Sequence, residues 1–197
     1  MELDFIVAAI QRNPKSYWCW YQRKWIINNF DLDAELLEKE LGLCSKLLDL
    51  DSRNFHCWNF RKFVARKLNI DHSIEFEYTT KKIHQNFSNY SAWHYRSQLL
   101  EEAENIESSL ESEINFVKAV VFTEPADQSP WFYIDWLIEK VSDFPYLLKT
   151  LRTNIQELVE LEPESIFALE VLYKLEPSEG LKKKLQNLNP DHAKSYQ

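Results

Sequence analysis

The side chains able to do chemistry do not add up to a complete catalytic site in this sequence. The five histidines are scattered without an HExxH pair, and no set of cysteine, histidine and acidic residues has zinc-site spacing. A nucleophile elbow, a GxGxxG loop and a P-loop are absent as well. Lys15 is a candidate anion-binding residue, because it lies in a predicted helix start, where free backbone N–H groups favour an anion. We therefore do not expect the chain to be an enzyme on its own.

That helix start is one copy of a repeat, which is the most informative property of the sequence. Four segments align on a shared tryptophan, with steps of 38, 35 and 38 residues between copies. An arginine follows three residues later in the first three copies, and Ile134 takes its place in the fourth. The motif residues concerned are Trp20, Trp58, Trp93 and Trp131, with Arg23, Arg61 and Arg96. The motifs span residues 13–25, 51–63, 86–98 and 124–136, and weaker copies lie near 161–170 and 188–197.

Each copy predicts two helices. The stretch before the motif is amphipathic, with apolar residues near i, i+3, i+4 and i+7, as between Leu36 and Leu48. Asn, Asp, Ser and Pro cluster just before each tryptophan, which is typical of a helix start. We expect the motif tryptophans and arginines to form the structural core, with each arginine paired to an acid on an adjacent helix. The sequence thus predicts an all-α fold, a right-handed α-solenoid of antiparallel helix hairpins, as a single domain over residues 1–197.

Composition and charge narrow the class of protein further. Two glycines among 197 residues and a hydrophobic content of 45% favour a folded helical chain over a β-barrel or a disordered one. The net charge of −8 disfavours nucleic acid as a partner. No apolar run is long enough for a transmembrane segment, and the three unclustered cysteines are typical of a reducing compartment. We therefore expect a cytoplasmic protein.

The repeats resemble those of protein prenyltransferase α subunits, and most of all the Rab geranylgeranyltransferase (type II) branch of that family. The runs that carry the resemblance are NPKSYWCWYQR, DSRNFHCWNFRKFVA and NFSNYSAWHYRS, extended by EPADQSPWFYIDWL and the tail IQELVELEPESIFALEVL. The family usually has a further repeat where this sequence has one helix, from about Glu2 to Gln11. Animal members also insert an immunoglobulin-like domain and append leucine-rich repeats, so the resemblance implies a reduced version of the subunit.

The resemblance implies the α subunit of a heterodimer that transfers geranylgeranyl from geranylgeranyl diphosphate to C-terminal cysteines of Rab-type GTPases. In such an enzyme the β subunit holds the catalytic zinc and the lipid pocket, and the α subunit completes one edge of the active site. An escort protein that presents the GTPase is expected to dock on the α subunit.

The same resemblance implies roles for individual residues. Lys15 and Tyr17 match a lysine-x-tyrosine segment at the catalytic edge, where the lysine contacts the isoprenoid diphosphate. The residues implied at the same substrate-binding edge are Arg53, Asn54 and His56. The residues expected at the β-subunit interface are Tyr21, Phe55, Asn89, Tyr90, His94 and Tyr95. No metal ligand is assigned to this chain.

Other functions stay open at this point. The chain could be the α subunit shared by farnesyltransferase and geranylgeranyltransferase type I, which is more distantly similar. It could also be a non-catalytic helical-repeat adaptor that grips a peptide, although tetratricopeptide repeats run near 34 residues with small residues at fixed places. A helical enzyme with an unrecognised site is a further class. Co-purification separates these functions, because a prenyltransferase α subunit should bring a β subunit and an adaptor should be stable alone.

Overall fold

The computed structural model describes residues 2–103 and 105–190, and all regular structure in those ranges is helical. The helices are α1 (Glu2–Arg12), α2 (Tyr17–Asn29), α3 (Ala34–Leu50), α4 (Phe55–Lys67), α5 (His72–Gln85), α6 (Tyr90–Glu101), α7 (Ile106–Thr123), α8 (Gln128–Val141), α9 (Pro145–Leu161), α10 (Ile166–Leu175) and α11 (Glu179–Leu188). The predicted all-α class of paired helices is confirmed. The weak motif copy near 188–197, with Tyr196, falls largely outside the described residues.

The chain divides into two compact units. The first unit runs through Gln85 and includes Asn89–Leu99, and the second takes Asn86–Ser88 and continues from Leu100. In the first unit α1 packs on α2, and α4 packs on both α2 and α3. In the second unit α7 packs on α8 and α9, and α10 packs on α8, α9 and α11. The connections are short, so consecutive packed helices run antiparallel, as the repeat predicts.

The first helix of each pair buries a single apolar stripe. In α3 the buried residues include Leu37, Cys44 and Leu48, which follow the helical period along one face. Side-chain caps fix the starts of α3 and α7: Asp33 accepts the Leu36 N–H, and Asn105 accepts the Ser108 N–H. These helices are therefore held by burial along one side and by capping at the first turn.

The motif tryptophans pack in the interior and also fix the loops before their own helices. All four are at most 5% exposed. The indole N–H of three of them donates to a backbone carbonyl six residues earlier: Trp20 to Pro14 at 2.8 Å, Trp58 to Ser52 at 2.9 Å and Trp131 to Pro125 at 2.9 Å. Each indole therefore ties the body of a helix to the loop that leads into it.

Buried arginines join neighbouring helices in the first unit. Arg23 donates from Nε and Nη2 to the Glu40 carboxylate of α3. Arg61 binds Glu75 of α5 in the same two-pronged way, at 2.9 and 2.6 Å. Arg96 donates to hydroxyls of α5, among them that of Thr80 at 2.7 Å. Because these groups are almost fully buried, two hydrogen bonds per pair are needed to offset the cost of desolvating the charges.

The fourth repeat replaces this ion pair by apolar side chains. Ile134 stands where the first three repeats have arginine. Leu151 lies eleven residues before the C-cap of its helix, the position that Glu40 and Glu113 hold in theirs. Ile134 and Leu151 are 0% and 1% exposed. The repeat therefore accepts either a paired charge or a hydrophobic pair at this position, in line with the near-equal stability of such exchanges elsewhere.

We expect Arg23→Ile alone to lower the free energy of unfolding by about 3–5 kcal/mol, because it leaves the Glu40 carboxylate buried without its partner. The double variant Arg23→Ile, Glu40→Leu copies the fourth repeat and should recover most of that loss. Urea unfolding followed by circular dichroism measures both variants. A double variant as unstable as the single one would contradict this account of the pair.

Candidate functional site

The helix-start loops of the first two repeats lie against each other. The first loop is residues 13–16 and the second loop is residues 51–54. The Pro14 carbonyl accepts the amide Nδ2–H of Asn54 at 2.9 Å and the indole N–H of Trp20 at 2.8 Å. The first loop is thereby held by its own helix and by the next repeat at once.

Lys15 stands where these two loops meet. Its Nζ lies 3.5 Å from an Asp51 carboxylate oxygen of the second loop, and its side chain is 67% exposed. The other Asp51 oxygen accepts the backbone N–H of Arg53 at 3.2 Å, and the Arg53 side chain is exposed. An exposed ion pair of this kind is weak, so the ammonium group of Lys15 stays available to an incoming anion.

The start of α2, next to Lys15, is left open by its own cap. Ser16 at the N-cap makes no side-chain hydrogen bond, and no acidic residue lies in the first turn. At the equivalent position before α4, the Asn54 oxygen accepts the Cys57 N–H at 3.2 Å. The N–H groups and the positive dipole end of α2 therefore act together with the Lys15 charge, an arrangement suited to holding a phosphate group.

Aromatic side chains surround this charge. The Tyr17 ring lies 5.4 Å from Trp18, 5.9 Å from Tyr21 and 6.4 Å from His56 between ring centres. Tyr17, Trp18 and Tyr21 are between 49% and 72% exposed. Tyr17, Tyr21 and His56 also border a groove of about 410 Å³ between α2 and α4, which Trp25 lines further along. The site thus combines the exposed Lys15 ammonium group with a broad apolar surface.

His56 is half-buried on the first turn of α4. Its ring centre is 4.0 Å from that of Phe55. Burial lowers the pKa of its imidazole below the ordinary 6.5, so the ring is neutral at pH 7. The positive charge at this edge therefore comes from Lys15 and Arg53.

Asn54, which the resemblance implies at the substrate edge, is only 2% exposed. Its side-chain oxygen caps α4, and its amide group donates to the Pro14 carbonyl. Both ends of the side chain are therefore used within the protein. The sequence already indicated this capping role. The residue four positions before each motif tryptophan is Ser, Asn or Asp, the residue types that cap helices.

The residues expected at the β-subunit interface fall into two groups. Tyr21, Phe55, Tyr90 and His94 are exposed, and the Tyr90 and His94 rings stack at 6.3 Å. Asn89 and Tyr95 lie in the interior, at 0% and 4% exposure.

The interior pair of that set has structural partners. Asn89 accepts the Ala92 N–H and so caps α6. The Tyr95 hydroxyl donates to Glu75 at 3.0 Å, and burial raises the pKa of this phenol. Tyr95 lies two residues after its tryptophan, and Phe60 and Tyr133 at the same place in other repeats are buried too.

Sequence reasoning missed two members of the site. Trp18 is 72% exposed, and the other strong motifs have histidine or serine in its column. A tryptophan at a position that is polar in the other motifs was the feature of the sequence that could have marked Trp18 as a site residue. Asp51 was missed because its partner Lys15 lies one repeat away, and spacing within a motif does not reveal contacts between motifs.

The described part of the chain offers no ligand set for a metal ion. Within residues 2–103 and 105–190, no group of three or more His, Cys, Asp or Glu side chains is placed to hold a metal ion. The zinc ion implied by the resemblance therefore has no fitting site among these residues. The same ranges hold no helix that is both long and apolar enough to cross a membrane.

Comparison with known proteins decides the family. The sequence matches the protein prenyltransferase alpha subunit repeat over residues 1–30, 37–68 and 73–103. These stretches contain the first three motif tryptophans, Trp20, Trp58 and Trp93, respectively. It is 39% identical over 213 residues to the geranylgeranyl transferase type-2 subunit alpha of Dictyostelium discoideum, a match covering 99% of this chain and 68% of that relative. The chain belongs to the protein prenyltransferase α subunit family.

Two further members of the family define the extent of the similarity. The human geranylgeranyl transferase type-2 subunit alpha is 40% identical over 147 residues, which cover 70% of this chain. The chain spans only 26% of that relative's length. Among solved structures, Candida albicans protein geranylgeranyltransferase-I complexed with GGPP matches with a TM-score of 0.82 and 26% identity, covering 99% of this chain and 69% of the matched one.

We expect the pKa of His56 to lie below 6.5 in the native chain, because burial disfavours the charged ring. Folding lowers this pKa, so the unfolded chain binds the proton more readily, and the His56 contribution to stability falls as the pH drops below 6.5. Phe55→Ala removes the ring that covers the imidazole and should raise the pKa. NMR titration of the ring protons measures both values, and a native His56 that titrates at or above 6.5 would overturn the expectation.

Proposed function

We propose that this chain is the α subunit of a heterodimeric protein geranylgeranyltransferase of the Rab class. The enzyme transfers geranylgeranyl from geranylgeranyl diphosphate to C-terminal cysteines of Rab-type GTPases, and it acts only with its β subunit. The observation that carries the proposal is the exposed Lys15 at the open start of α2, in a chain whose relatives are type-2 alpha subunits. The chain then supplies one edge of the active site.

In this proposal Lys15 acts on the leaving group. Transfer forms a thioether C–S bond to the acceptor cysteine and breaks the C–O bond of the lipid, whose electron pair departs with the diphosphate. A fixed ammonium group beside a helix N-terminus stabilises the negative charge as it develops. The hydroxyl of Tyr17, two residues further on, can donate a hydrogen bond to the same group. Zinc, which the proposal places in the β subunit, lowers the pKa of the acceptor thiol.

The exposed aromatic residues at the helix starts of the first unit form the surface proposed for the β subunit. Tyr17, Phe55 and Tyr90 each lie three residues before a motif tryptophan and are 54–57% exposed. Tyr21 and His94 extend the same surface. Large aromatic residues are enriched at the cores of protein interfaces, where their area is covered. An escort protein that presents the GTPase is proposed to dock elsewhere on this subunit.

The type II assignment is favoured over the subunit shared by farnesyltransferase and the type I enzyme. Identity to the type-2 relatives of human and Dictyostelium is 40% and 39%, against 26% to the Candida type I structure. The proposal also places the reaction in the cytosol, where the three cysteines, all free in the structure, remain reduced.

We expect the chain to form a stable complex with a geranylgeranyltransferase type II β subunit on co-expression. The interface should bury at least about 2,000 Å², as permanent heterocomplexes do. Size-exclusion chromatography with light scattering measures the assembly, and a type I β subunit tested in parallel reports on the alternative. A chain that stays a stable folded monomer at micromolar concentration beside the type II β subunit would support an adaptor instead.

Replacing Lys15 by Ala in the assembled enzyme should slow single-turnover transfer by roughly 10²–10³-fold, the effect of losing one preorganised charge-stabilising group. Lipid affinity and assembly should change far less, because the interaction strengthens as the leaving group gains charge. Tyr17→Phe should be milder, since one hydroxyl is lost.

A matched control for Lys15→Ala is Lys39→Ala. The Lys39 side chain is also 67% exposed and also pairs with an acid, Glu35, but it lies on α3 away from the loops. Its removal should leave the rate unchanged. Trp58→Ala should fail in another way, by unfolding or losing the β subunit, because removing a buried tryptophan costs about 3–5 kcal/mol. A Lys15→Ala rate within twofold of the parent would refute the role of Lys15.

A further inference from the structure

The loop that carries Lys15 is fixed more firmly than its counterpart in the next repeat. Both hydrogen bonds to the Pro14 carbonyl come from buried side chains, the Trp20 indole and the Asn54 amide. Since Pro14 immediately precedes Lys15, holding this carbonyl fixes the peptide plane from which the lysine begins.

The equivalent loop of the second repeat lacks the second bond. Its Ser52 carbonyl accepts the indole N–H of Trp58 at 2.9 Å. Asn89 is the counterpart of Asn54 in the third repeat, and its Nδ2 is buried without a hydrogen-bond partner. Asparagine therefore caps both α4 and α6. Asn54 also donates to a carbonyl in the loop of the preceding repeat, the loop that carries Lys15, whereas Asn89 makes no such bond.

We propose that Asn54 is a positioning residue for Lys15, acting through the Pro14 carbonyl. The inference rests on the proposed function, in which Lys15 meets the diphosphate. Asn54 is held rigidly because its oxygen caps α4, so its amide group ties the first loop to the frame of the second repeat. The Asp51 carboxylate lies 3.5 Å from Nζ, in an exposed and weak ion pair that an anion of higher charge can replace.

Such positioning matters because a lysine side chain has many rotamers, and charge stabilisation depends on where the ammonium group lies. A loop that shifts by about 1 Å moves the lysine away from the leaving group. Asn54 never touches the diphosphate in this proposal. Its effect on the reaction must therefore disappear when Lys15 itself is absent.

The test compares Asn54→Ser with Lys15→Ala and with the double variant in the assembled enzyme, by single-turnover transfer. Serine keeps an N-cap oxygen, as Ser178 does when it accepts the Leu181 N–H at the start of α11, and loses the donor to Pro14. Asn54→Asp also keeps the cap without the donor and serves as the second variant. Asn105→Ser is the control, since Asn105 caps α7 through its oxygen in the second unit.

Asn54→Ser should slow transfer roughly tenfold, the effect of one hydrogen bond, while Asn105→Ser stays within twofold of the parent. In the Lys15→Ala background, Asn54→Ser should change the rate by less than twofold, because coupled residues are not additive. Amide hydrogen exchange of residues 13–17 should quicken in both Asn54 variants and not in the control.

Three results would overturn the inference. The first is a full tenfold effect of Asn54→Ser on the transfer rate in the Lys15→Ala background. The second is a transfer rate within twofold of the parent enzyme for both Asn54 variants. The third is unchanged amide hydrogen exchange of residues 13–17 in those variants. If Lys15→Ala alone leaves the rate unaltered, the proposed function of Lys15 fails, and the inference falls with it. The Lys15→Ala arm therefore separates the two failures.

Discussion

Backbone groups in the loops between packed helices need hydrogen-bond partners, and this requirement governs the structure. A helix start leaves several N–H groups free, and a loop pressed against its neighbour removes water from its carbonyls. The motif tryptophan answers the second need, because its ring fills the interior while its N–H reaches the loop carbonyl six residues earlier. In the second, third and fourth repeats the cap residue answers the first need, because its side-chain oxygen accepts a free N–H of the first turn. Packing, loop shape and the position of Lys15 all depend on these two side chains per repeat.

The exposed and buried aromatic residues follow from the same arrangement. Once the tryptophan face is turned inward, the residue three places earlier lies outward, as Tyr17 and Phe55 do. The residue two places later turns inward, as Tyr95 does. A helix surface that ends in several half-exposed rings next to an exposed ammonium group is well suited to a partner that brings both an apolar surface and an anion.

The repeat spacing was enough to predict the helices, the buried tryptophans and the acidic partners of Arg23 and Arg61, because a recurring pattern reports the face of each helix. It was not enough to separate Tyr90 from Tyr95, or to see that Asn54 faces Pro14. Those facts depend on which loop lies beside which, and contacts between residues 40 positions apart leave no mark on local periodicity. The burial of Tyr95 and the link between Asn54 and Pro14 both required coordinates.

The exchange of an ion pair for Ile134 and Leu151 also constrains how such repeats can diverge. Two substitutions separate the arrangements, so one intermediate sequence must carry an unmatched group in the interior. A buried glutamate without its arginine can take up a proton and become neutral, whereas an arginine without its glutamate keeps its charge at any pH the protein meets. Of the two mutational routes, the one that loses arginine first therefore passes through the less damaged intermediate.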